Sequence, residues 1–251
     1  MANPVLNDRR FDVAKSQVAS STEMTHAGVM SALGMMLVLL LASASLSWWH
    51  FSGLMTLGTS RAYIPSSVNH QLLALLLVSF GVGMAAVLVP RGAAILGPLY
   101  ALVEGALVGA ISFVYNARYP GIVIEAVGAT LAVAVVMYVL YASHTLKVTA
   151  KMRSTIISAT LGVVVFYLIA WLIALFGGIN LFTTGGPLGI GISLLVSGIA
   201  AFNLLLDFDF IDRLVASGAP KRMEWYAATG VVITLVWLYL EMLRLLSRIR
   251  R

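Results

Sequence analysis

The chain alternates between long apolar runs and short polar breaks. Seven runs stand out, at 27–49, 72–89, 94–115, 121–143, 155–177, 187–208 and 224–246. Each approaches the roughly 20 apolar residues that a helix needs to cross a hydrocarbon core of about 30 Å. A transmembrane barrel would instead need alternating strands of about ten residues, and these runs are continuous. The breaks carry helix-stopping residues: Pro90-Arg91-Gly92 after the second run, Pro120-Gly121 before the fourth, and Gly177-Gly178 after the fifth. Trp48 and Trp49 close the first run, where amphipathic indoles suit a membrane interface. The pattern predicts an all-α integral membrane protein with one seven-helix domain over 27–246. It predicts a polar, disordered tail at 1–26 and a short basic tail at 247–251.

Composition agrees. Residues are 60% hydrophobic and 10% charged, with mean hydropathy +0.96. A water-soluble domain carries about 25% charged residues. The first apolar run starts late and is long, so it reads as a retained span rather than a cleaved signal. The chain has no cysteine, which removes disulfides, thiolate metal sites and cysteine nucleophiles. No phosphate-binding, dinucleotide, zinc-hydrolase or serine-hydrolase motif occurs in a fitting context, so no enzyme is expected.

The net charge of +6 needs no nucleic acid to explain it, because the basic residues sit at segment ends. With the N-terminus inside, the inner side holds Arg9, Arg10, Lys15, Arg91, Lys147, Lys151, Arg153, Arg213, Lys221 and Arg222. The outer side holds Arg61, Arg118, Arg244, Arg248, Arg250 and Arg251. The rule that cytoplasmic loops are rich in Lys and Arg favours a cytoplasmic N-terminus in a cell membrane, inner or plasma. The C-terminal arginines run against it.

Ionisable groups inside spans cost about 2.5–3.5 kcal/mol at a helix centre, so each demands a reason. Glu104 lies mid-run in the third segment. Gly105 and Gly109 follow it as a GxxxG pair, flanked by Ala101 and Ser112, a face that lets another helix approach closely. Glu104 reads either as a proton relay or as a structural hydrogen-bonding group. Glu125 falls in a first helical turn near Arg118, where the helix dipole favours an acid. Asp207, Asp209 and Asp212 crowd the end of the sixth run. On a helix Asp209 and Asp212 share a face and Asp207 points away, so one acid faces inward whichever way the helix turns. The bland alternative is a wet helix end paired with Arg213, Lys221 or Arg222. Glu224 reads as an end-of-helix acid beside Lys221 and Arg222, and Glu241 as a partner of Arg244. His26, His50, His70 and His144 all sit at segment ends without metal-ligand spacing. Carboxylates with oxygen-only neighbours prefer a hard cation such as Ca²⁺, but no metal site or cofactor follows.

Three stretches together carry a family resemblance. PLYALVEGALVGAISFVYN (98–116), LLLDFDFID (204–212) and GAPKRMEWYAATGVVITLVWLYLEMLRLL (218–246) resemble the bacterial, YccA-like branch of the Bax-inhibitor (transmembrane Bax-inhibitor-motif) family. The resemblance implies a seven-helix bundle with the last helix central. It implies a pH-sensitive Ca²⁺ leak, with lipid, Ca²⁺ and protons as the interacting species. In that family a pair of aspartates on helices six and seven shares a proton and holds the pore shut. Asp207 matches the first of them and Glu104 the helix-three glutamate. The second aspartate is missing: Thr234 stands at its place, and Val231 to Leu240 contains no acid. Asp207 would then have to couple to Glu104, Asp209 or Glu224. A second reading implied by the resemblance is a regulator of a membrane-bound AAA protease, acting through the tail at 1–26.

Overall fold

The computed structural model describes residues 23–55, 66–177 and 186–250. The polar tail up to residue 22, the connection at 56–65 with Arg61, the link at 178–185 and Arg251 lie outside these. Seven helices are present among the described residues: α1 (His26–Met55), α2 (Ser66–Leu88), α3 (Ala93–Arg118), α4 (Ile122–Ala142), α5 (Ala150–Gly177), α6 (Pro187–Ala216) and α7 (Met223–Ile249). Each contains a stretch long and apolar enough to cross a membrane. The described residues form no strand beyond an isolated bridge between Glu23 and Pro220.

The helices outrun the apolar runs where polar residues do not break them. α1 continues through His50 to Met55, and the Ser52 hydroxyl returns a bond to the Trp49 carbonyl at 2.8 Å. α6 continues to Ala216, so all three aspartates of the acidic segment ride on regular helix. Its start is set by Pro187, whose fixed φ suits a first helical position and whose missing N–H costs nothing there.

α7 is the axis of the bundle. It packs on α1, α2, α3, α4 and α6, and its Glu241 and Arg244 reach Tyr167 of α5. α3 and α7 each bury 50% of their most apolar stretch, whereas α2 buries 11%. The outer helices turn Leu77, Phe80, Ile124, Val135 and Phe176 outward. In water such a surface would be a large aggregation-prone patch; in a bilayer it faces solvent of its own kind.

The bundle has two ends. The first end gathers the start of α1, the α2–α3, α4–α5 and α6–α7 connections. There Met24 donates its N–H to the Ala219 carbonyl at 2.7 Å. The second end gathers the α3–α4 turn and the close of α7, where Arg250 donates to the Pro120 carbonyl at 2.9 Å.

α1 and α3 make the closest crossing. A methyl group on Gly105 would collide with the backbone of Leu40, and one on Gly109 with that of Ala44. Around this crossing Ser43 donates to the Leu102 carbonyl at 2.6 Å and Ser47 to that of Ala106 at 2.7 Å. Close backbone approach replaces the hydrophobic drive that lipid cannot supply. Gly105→Val or Gly109→Val therefore costs about 1–3 kcal/mol through overpacking. Thermal unfolding in detergent should show a lowered midpoint for each, whereas Gly34→Val, at a glycine with open space around it, should leave it nearly unchanged.

Candidate functional site

The helical rise of α6 turns its three aspartates to different neighbours. Asp209 meets Arg153 of α5 at 2.6 Å and Arg213 of its own helix at 3.0 Å. Asp212 meets His26 at 2.8 Å and accepts from Tyr141 of α4 at 2.5 Å. These two acids tie the first ends of α1, α4, α5 and α6 together. Of the basic partners the sequence offered, only Arg213 is used.

Asp207 points the other way. It joins Ala86 and Val87 of α2, Phe210 of α6 and Tyr226, Thr229, Gly230 and Ile233 of α7 around a cavity of about 160 Å³. About 14 Å of helix rise separates Asp207 from the end of α6 at Ala216, while Ala86 and Val87 lie in the last turn of α2 and Tyr226 in the first turn of α7, so the chamber sits toward the first end of the bundle. The carboxylate oxygen Oδ2 is fully buried and has no hydrogen-bond partner among the described residues. The Thr234 hydroxyl lies beside this carboxyl, while donating to the Gly230 carbonyl at 3.2 Å. The position where the resemblance calls for a second aspartate thus does face Asp207, and carries a neutral hydroxyl. The chamber's other oxygens are engaged locally: Thr229 donates to the Trp225 carbonyl at 2.7 Å and Tyr226 to that of Val87 at 3.4 Å.

The acids proposed as substitutes have other partners. Glu104 accepts from the Ser79 hydroxyl of α2 and is 8% exposed. Glu224 is buried and accepts from both the N–H and the hydroxyl of Thr25, at 3.0 and 3.2 Å, instead of meeting Lys221 or Arg222. It caps the start of α1, and a methyl on Gly28 would overlap its carboxylate. Asp209 is held by its two arginines. Glu125 pairs with Arg250 instead of Arg118. Among the described residues no three His, Asp or Glu side chains gather into a metal-binding group.

A second polar cluster sits toward the second end. Glu241, 1% exposed, pairs with Arg244 at 2.5 Å, and Tyr167 donates to Glu241 at 3.0 Å. The Arg244 guanidinium also lies over the Tyr167 ring, 5.0 Å from its centroid. Arg248 donates to the Gly189 carbonyl at the start of α6. The spacing of Glu241 and Arg244 announces their pairing. Nothing in the linear pattern announces Tyr167, Ser79 or Thr25, because their partners lie on helices distant in sequence.

A family model described as Bax inhibitor 1 like matches residues 3–251. No curated protein matches the chain.

The Glu241–Arg244 pair yields a stability test. Removing one member of a buried pair strands the other charge and costs about 3–5 kcal/mol, whereas removing both costs much less. Arg244→Gln should lower the thermal unfolding midpoint in detergent well below that of the Glu241→Gln/Arg244→Gln double variant. A double variant as unstable as the single one would contradict the pairing.

Proposed function

Because the chain belongs to the Bax inhibitor 1 like family over residues 3–251, we propose that it is a cation leak pathway of the membrane it spans, regulated by protonation of Asp207. The observation that carries this reading is the chamber between α2, α6 and α7. It holds a carboxylate with a buried, unpartnered oxygen and no basic partner among the described residues, whereas Glu241, whose Oε2 is likewise buried and unpartnered, is paired with Arg244. An acid in a membrane-spanning helix without a charged partner is costly, and function is the usual reason for its presence.

The chemistry is simple. The ionised carboxylate puts a full negative charge on the chamber wall and lowers the barrier to a cation. Protonation removes that charge and converts the group into a hydrogen-bond donor, for which the Thr234 hydroxyl is the adjacent acceptor. The resemblance makes Ca²⁺ the first cation to assay. In this reading the N-terminus is cytoplasmic, and the chamber lies in the cytoplasmic half of a plasma or inner membrane. The protein is a transporter without a catalytic step.

The alternative is a regulator of a membrane protease that acts through the tail at 1–26 and conducts nothing. Reconstitution separates the two. Liposomes loaded with Ca²⁺ and K⁺ should leak at least one of them at a rate that changes across about pH 5–8, and Asp207→Asn should abolish that change. Deleting residues 1–22 should leave the leak in place. Identical pH profiles for parent and Asp207→Asn would defeat the proposal.

A further inference from the structure

The same chamber limits which cation it can serve, an inference that rests on the leak reading above. We infer that the Asp207 chamber takes a univalent cation, either an alkali ion or hydronium, in preference to Ca²⁺. The argument is a count of charges and oxygens. Ca²⁺ takes six to eight oxygen ligands and is held tightly where several of them are carboxylates. The chamber lining supplies one carboxylate. From α2 it receives only Ala86 and Val87, and from α6 beyond Asp207 only Phe210. From α7 it receives the oxygens of Tyr226 and Thr229, with Thr234 beside the carboxyl. Tyr226 is the only other titratable group of the lining.

No second free carboxylate is held in reserve nearby. Asp209 is paired with Arg153 and Arg213, and Asp212 with His26 and Tyr141. A divalent ion beside Asp207 would keep one uncompensated positive charge within a largely apolar wall, which low dielectric penalises strongly. A univalent ion is neutralised by the single carboxylate. The volume of about 160 Å³ leaves room for such an ion with a few of its waters. The Asp207 carboxylate is the group of the lining that would face it.

The test compares cations on the full chain in liposomes, using dyes for Ca²⁺, K⁺, Na⁺ and protons, with Asp207→Asn and Thr234→Asp as variants. The parent should carry at least one univalent cation about tenfold faster than Ca²⁺, and Asp207→Asn should lose that flux. Thr234→Asp adds a second carboxylate beside the first and should shift the ratio toward Ca²⁺ by about tenfold. The parent's ratio decides the matter even if that variant does not fold. Asp207-dependent Ca²⁺ flux equal to or above the univalent flux would overturn this inference and leave the leak standing. No Asp207-dependent flux of any cation would overturn both. The proton arm separates hydronium from the alkali ions.

Discussion

A helix surrounded on all sides inside a bilayer has no water to satisfy its polar side chains. The polar groups on α7 must therefore be answered by its own backbone, as Thr229, Thr234 and Ser247 are, or by a neighbour. Glu224 binds Thr25, just before α1, and Tyr226 binds the Val87 carbonyl of α2. Tyr239 shares a hydrogen bond with Ser112 of α3 at 2.6 Å, and Glu241 accepts from Tyr167 of α5. Arg248 reaches Gly189 at the start of α6, and Arg250, just past the helix, reaches Glu125 of α4. In lipid these bonds work with close packing to fix the arrangement of the ring. Three of the arginines gathered at the end of α7 thus have partners inside the protein.

Against that background Asp207 is the exception. It faces α7 from α6, yet α7 offers it no charge and no firm donor, only a threonine hydroxyl already turned to its own backbone. A carboxyl left in this condition can change its protonation without breaking a structural tie. Asp209, Asp212, Glu104 and Glu224 each fasten their helix to a neighbouring one or to its start. The division of labour follows from helical geometry. Two residues of spacing on α6 turn Asp207 toward the axis and Asp209 toward the outer helix α5.

Much of the fold was legible in the sequence, because length, continuity and stop residues are properties of single segments. The seven spans emerged with their order, and the Gly105–Gly109 stripe marked a face of close approach. The identity of the approaching helix, α1, was not legible, since its contact backbone at Leu40 and Ala44 has no distinctive side chain. The apolar runs stop short of the ends of α1 and α6, because serine and aspartate are tolerated in a helix whose hydroxyls and carboxylates find partners. Partners on the same helix, Arg213 for Asp209 and Arg244 for Glu241, are legible from spacing, whereas those of Glu224 and Glu125 are not. Sequence neighbours point Glu224 to Lys221 and Arg222, and Glu125 to Arg118. The true partners, Thr25 and Arg250, lie more than a hundred residues away. Sequence proximity predicts ion pairs only along one helix, as for Glu241 and Arg244.

The account rests on Asp207 being the reactive, solitary acid of the membrane interior. A hydrophobic carbodiimide, which attacks carboxyls from within the bilayer, tests this directly when its sites are mapped by mass spectrometry alongside cation flux. The account predicts modification at Asp207 ahead of Glu104, Glu224 and Glu241, with loss of flux in step with the labelling. Labelling that spares Asp207, or that modifies it while flux is unchanged, would contradict it.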